Sequence, residues 1–214
     1  MARAAEGSAF ISDWKARNQR ELRAIWEMLC TNRPEEGTER TFRSRPLSRA
    51  QAGAVFERWV LEAFRLSGAT VHYGYEVAMP TGGAVRQQID GLVFDAWQGF
   101  LVECKFWTDK VDVNPVPLLH VIVDERPAGV LGLFFSAFGY TAPAVESADR
   151  LRPLRVLLFD SADLVWALNR RKFAGSMVAM VRRKWMLAVR SGKCALSVAG
   201  ALDLAGGGGN YEDG

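Results

Sequence analysis

Residues 88–107 read QIDGLVFDAWQGFLVECKFW, two short apolar segments with charge where an apolar strand should not want it. Asp90 falls in the first segment, and Glu103 and Lys105 fall in the second, one residue apart. Side chains in a strand alternate between faces, so residues two apart share one. Glu103 and Lys105 therefore point the same way, with Cys104 on the other side. The Gln98-Gly99 pair, between Trp97 and Phe100, suits a tight turn, which predicts a hairpin. Folding back brings Asp90 alongside Glu103, so that two carboxylates and a lysine meet on one edge of an otherwise hydrophobic sheet.

Two carboxylates at short range repel unless a cation lies between them. Oxygen donors of this kind suit Mg²⁺, which keeps several waters and takes one or two carboxylates. Such an ion activates a water and offsets the charge that builds on a phosphate, and Lys105 would orient that water or neutralise the phosphate. The competing reading is a solvent-facing edge with an ordinary ion pair, because the D…ExK pattern alone is short and common.

The distribution of charge bears on this choice. Residues 68–149 carry 4 Lys/Arg against 10 Asp/Glu, whereas residues 150–193 carry 11 against 2. Acids gather around the proposed ion site and a basic block follows. That is the layout of an enzyme that holds phosphates with cations while a metal sits among acids. It is also what a solvated helix face looks like. Three scattered cysteines, Cys30, Cys104 and Cys194, have no metal-ligand spacing and read as reduced thiols of a cytoplasmic protein. Two histidines, His72 and His120, supply little for a zinc site or a triad, and both read as packing or surface residues. No apolar window is long enough for a membrane span, and the opening MARAAEGSAF lacks the core of a signal peptide.

Hydrophobic spacing predicts an amphipathic helix over 12–31, capped by Ser12 or Asp13. A polar arm over 32–48 follows, in which Arg40, Arg43, Arg45 and nearby Arg49 either touch phosphate or face water. A second helix begins at Ser48 and ends at Gly68. It buries Val55, Phe56, Trp59, Val60 and Phe64, with Glu57 close to that stripe. Strands are expected over 69–79, 87–95, 100–107, 129–137 and 154–160, a turn at PTGGAV, and helices over 115–125, 142–151, 161–173 (capped by Ser161) and 174–191. A mixed sheet flanked by helices accommodates this order.

At this point the chain resembles the PD-(D/E)xK nuclease superfamily and, within it, the Mrr-like restriction endonuclease domain. The resemblance covers roughly residues 52–168. AGAVFERWVLEAFRLSGATV is similar to the family's helix opening. QIDGL and LVECKFW are similar to its aspartate and (Q/E)CK strands. The TAPAVESA segment and LLFDSADLVWAL are similar to its later blocks. The resemblance implies an α/β fold: a restriction-endonuclease-like core, with a mixed central β-sheet flanked by helices and extra N- and C-terminal helices. It implies Asp90 and Glu103 as metal ligands, joined by Glu57, the helix acid that completes the set, and Lys105 as catalytic lysine, with Gln88 in support. Phe106 departs from the pattern, because many relatives carry a basic residue there, and this puts one phosphate contact in doubt.

The expected organisation is an N-terminal helix and arm (1–47), a catalytic domain (48–173), a basic helical extension (174–205) and a disordered tail (206–214). The expected activity is Mg²⁺-dependent hydrolysis of DNA phosphodiester bonds, with Mn²⁺ as a substitute, by a restriction or anti-phage defence effector. DNA, a second copy of the chain and a partner protein of a defence system are the expected partners. The residues assigned to nucleic-acid contact are Arg170, Arg171, Lys172, Arg182, Arg183 and Lys184. Two other readings share the fold: a nucleic-acid-binding or partner-gated sensor module, and an RNA nuclease.

Overall fold

A computed structural model describes residues 11–31, 41–42, 45–78, 86–96, 98–107 and 109–199. Most of the polar arm, including Arg40 and Arg43, lies outside these residues, as do the PTGGAV turn and the tail 206–214. The elements in chain order are α1 (Gln19–Thr31), β1 (Thr41–Phe42), β2 (Arg45–Pro46), α2 (Arg49–Leu66), β3 (Thr70–Ala78), β4 (Arg86–Asp95), β5 (Gln98–Lys105), α3 (Pro115–Asp124), β6 (Leu131–Ser136), α4 (Ala142–Arg150), β7 (Val156–Phe159), α5 (Ser161–Leu168) and α6 (Ser176–Ser191). The main sheet runs β3-β4-β5-β6-β7. Its first three strands are antiparallel and its last three parallel. This is the expected mixed sheet flanked by helices.

Alternation along β5 sorts the two layers. Phe100, Val102 and Cys104 join the core beneath α2, α5 and α6, whereas Leu101 joins the core beneath α3 and α4. β6 is buried on both faces along its whole length, as its unbroken apolar run requires. α2 starts where the sequence places it: the Ser48 hydroxyl accepts from Gln51 N, and the Gln51 side chain accepts from Ser48 N.

Three local expectations are corrected. Helix α1 begins at Gln19 rather than residue 12, because tertiary bonds hold residues 13–18 out of helix. Ala16 N donates to Glu62, Arg65 donates to Ala16 O, and Arg58 donates to Trp14 O. The β4–β5 turn falls earlier than Gln98-Gly99: Asp95 pairs with Gln98, and Ala96 takes φ 50°. Gly99 is instead paired with Phe94, whose ring would lie 3.2 Å from a Cβ at residue 99. Finally, Asp160 rather than Ser161 caps α5. That helix stops at Leu168, where Gln19 and Arg23 of α1 donate to its terminal carbonyl.

Glu62 is fully buried inside α2 yet well satisfied. It accepts from Ala16 N, Tyr73 Oη and Arg65, and Arg58 lies 3.5 Å away. Gly91 is a second fixed point. A Cβ there would stand 2.5 Å from a Leu61 methyl and 3.1 Å from His72 O. Gly91→Ala is therefore expected to cost about 1–3 kcal/mol by overpacking, read as a lowered urea midpoint with unchanged slope.

Candidate active site

The acids meet where β4 leaves β5. The ladder between them runs from Asp95↔Gln98 to Gly91↔Val102 and ends there. The N–H of Cys104 donates to Asp90 Oδ2 at 2.6 Å. The pleat of β4 also slips at this point. Ile89 belongs to the α3-side core, whereas Gly91, two residues on, faces Leu61 of α2. Across from the slip, the register with β3 passes from Tyr73↔Gly91 to Tyr75↔Ile89, and Gly74 between them takes φ 60°. This left-handed conformation suits glycine.

Glu103 and Lys105 share a face, as predicted, and their side chains bond at 2.5 Å. Asp90, Glu103, Lys105 and Glu57 of α2 all act electrostatically on one another. Burial is the first cause that pushes Asp90 up to about 8, with Glu103 and Glu57 adding repulsion. Burial likewise pushes Glu57 up to about 7, Glu103 raises it further and Lys105 opposes both. Burial works most strongly against the charge of Lys105, yet Glu103, Asp90 and Glu57 together hold it above its ordinary value. The Cys104 thiol, wholly buried, is pushed well up and is inert. Gln88, two residues before Asp90 on β4, is exposed.

With all three carboxyls ionised against one ammonium the site would carry an excess of negative charge; a divalent cation would offset it and take the place of the protons that Asp90 and Glu57 otherwise keep, so the donor set fits such an ion. Among the described residues no three or more His, Cys, Asp or Glu side chains are grouped so as to hold an ion by themselves. A cation here would take one or two carboxylates and keep its waters, as Mg²⁺ does.

The raised carboxyl values predict an inverted pH dependence for the metal-free protein. In the unfolded chain these groups lose their protons near 3.8 and 4.5, whereas in the fold they keep them until about 8 and about 7. The folded state binds more protons across that window, so stability falls as pH rises from about 4 to about 8. Thermal melts in EDTA at pH 5 and pH 8 check this. Asp90→Asn should raise the melting temperature at pH 8, and added Mg²⁺ should recover the wild-type loss there.

The basic block is not beside the acids. α5 starts at the C-terminal end of β7 and runs back, and Gly175 N beyond it bonds to Ser67 O, just before β3 begins. β3 is parallel to β5, so this is the end of the sheet where β5 starts. Arg182 bonds to Asp95 at the hairpin, also at that end. Lys184 is 1% exposed and paired with Asp163, so it cannot reach a phosphate. Arg183 bonds to Val198 O. Arg170, Arg171 and Lys172 are exposed, and the Arg170 and Arg183 guanidiniums lie 5.1 and 5.8 Å from the Trp166 ring centre.

Phe106 turns into the core against Phe56 and Phe138, so its departure from a basic residue serves packing. His72 lies on the exposed face of β3 against Phe94, and His120 is buried with Nε2 at Pro153 O, both as expected. Sequence reasoning missed the cleft beside Glu103 and Lys105, about 420 Å³, walled by Ile89 and by Asn114, Pro115, Leu118, Leu119 and Ile122 of the α3 segment. No periodicity marks a helix face that lines a cleft. Among the described residues no helix is long and apolar enough to cross a membrane.

The family model Mrr_cat, described as "Restriction endonuclease", matches residues 48–168. No curated protein matches the chain. A solved structure titled "Crystal Structure of Protein of Unknown Function AF1548" is similar at 13% identity and a TM-score of 0.37, over 62% of this chain and 78% of that one.

Proposed function

The chain belongs to the Mrr_cat restriction endonuclease family, and its nuclease character follows from that; on this premise we propose that it is a divalent-metal-dependent endonuclease that hydrolyses DNA phosphodiester bonds as a restriction or anti-phage defence effector. The observation that carries this reading is the convergence of Asp90, Glu103, Lys105 and Glu57 at the fork between β4 and β5.

Asp90 and Glu103 would hold Mg²⁺ or Mn²⁺. Such an ion supplies Lewis-acid activation of water and neutralises charge at the phosphorus. The Asp90 carboxylate is fixed for this task by the Cys104 N–H. Lys105 has three donors and spends one on Glu103, which leaves two for the attacking water or a phosphate oxygen. Glu57, on α2 beside Glu103 and Lys105, would complete the acidic set around the ion. Gln88, exposed on β4, would support the site.

Arg170, Arg171 and Lys172 would bind nucleic acid at the far end of the sheet, as a grip rather than as part of the chemistry. A homodimer would bring two forks to the two strands of a duplex, and a partner protein would gate the activity.

Incubating the protein with supercoiled plasmid in Mg²⁺, in Mn²⁺ and in EDTA tests the reading, with an RNA of equal length in parallel. Metal-dependent nicking or linearisation is expected. A folded protein that cuts RNA alone would replace DNA as substrate, and one that cuts neither would leave a binding module.

A further inference from the structure

The cleft beside the fork asks for more than an ion and a phosphate. One wall is Glu103 with Lys105, and the other is apolar, built from Ile89, Pro115, Leu118 and Ile122. Its volume of about 420 Å³ falls in the range of organic-ligand sites. Three of the seven large hydrophobic side chains exposed among the described residues lie on α3 or just beyond the end of β5. These are Trp107 (43% exposed) two residues beyond Lys105, and Leu118 (48%) and Val121 (49%) on α3. Asn114, exposed at the start of α3, makes no side-chain capping bond and so has its amide available.

A flat apolar group joined to an anion fits this surface: the anion beside the Lys105 ammonium, the apolar group against α3. In DNA that combination is a base and its own phosphate. Resting on the nuclease reading, we infer that the cleft takes the base of a nucleotide flanking the scissile phosphate, swung out of its stack, with Leu118 against its face and the Asn114 amide at its polar edge. In continuous duplex such a base must first be unpaired and unstacked, whereas at a mismatch, a bulge or a single strand most of that cost is already met. The substrates favoured are then DNAs with unpaired nucleotides. Trp107 offers an adjacent stacking surface of the kind that single-strand binders use.

The test needs no catalysis. Oligonucleotides carrying the fluorescent base 2-aminopurine, either paired or in a one-nucleotide bulge, are titrated with the protein in EDTA, with binding followed separately by anisotropy. The wild type should change the fluorescence of the bulged base and leave the paired one little altered. Leu118→Ala, at a half-exposed position and checked for an unchanged melting temperature, should lose that change at saturating protein. Asn114→Ala should weaken it. An equal response from wild type and Leu118→Ala overturns the inference, as does DNA binding with a silent probe, which would leave the apolar wall to a second copy of the chain. Plasmid cleavage with a silent probe removes the base site and keeps the nuclease. A Leu118-dependent signal without cleavage of any substrate keeps the base site and removes the chemistry.

Discussion

Lys105→Ala is expected to slow single-turnover cleavage of DNA by at least about 10²–10³-fold, the loss typical when one charge-stabilising donor is removed from an active site. The reason lies in the balance of charge at the fork. Lys105 is the cation acting on Asp90, Glu103 and Glu57, and it opposes the rise of both raised carboxyls. Its removal takes a donor from the water or phosphate and leaves the acids repelling one another. Its side chain is about a quarter exposed, so the fold should survive. Asp90→Ala should be as severe, and it also strips Cys104 N of its acceptor. Circular dichroism and the melting temperature separate these effects from unfolding. Undiminished cleavage by either folded variant would remove the mechanism.

Asp163→Ala should have the largest effect on stability, about 3–5 kcal/mol, the cost of leaving one member of a buried ion pair alone. Asp163 and Lys184 are both almost wholly buried and directly bonded. Asp163 Oδ1 also accepts from Val198 N at 2.7 Å, and Oδ2 accepts from Asp160 N at 3.2 Å. One side chain thus ties α5, α6 and the segment that follows. The Lys184 ammonium lies 4.8 Å from the Phe159 ring centre, a contact that cannot replace a carboxylate. Such a loss is a large share of the roughly 5–15 kcal/mol that holds a domain together. Urea denaturation measures it. The double variant Asp163→Leu with Lys184→Met should recover part of the loss, because an apolar pair needs no counter-charge, while the Val198 N–H still lacks its acceptor. If the single variant melts like the wild type, the pair contributes little.

The sheet, its strands and most helices were legible because apolar periodicity is local, and β5 shows how far that goes. Alternation alone placed Glu103 with Lys105 and turned Cys104 into the core. The same rule does not carry across β4, where the slip at Asp90 sends Ile89 and Gly91 to opposite layers. The slip depends on Leu61 of α2 and on Gly74 of β3, which no window around Asp90 contains. Glu62 is similar: in sequence it is one more helix glutamate, and only the return of Trp14–Ala16 onto α2 makes it a buried acceptor. The basic block misled for a third reason. Charge counted along the chain says nothing of which end of the sheet receives it, and Lys184 was counted with its neighbours although its helix face points inward.

The claim on which the functional account turns is that Asp90 and Glu103 share a divalent cation at the fork. Titration calorimetry of Mn²⁺ into the metal-free protein at pH 8, with wild type, Asp90→Asn and Glu103→Gln side by side, tests it most directly. The account predicts a site in the wild type, weaker at pH 6 where a proton competes for Asp90, and lost in both variants. Mn²⁺ binding that survives both substitutions unchanged would contradict it.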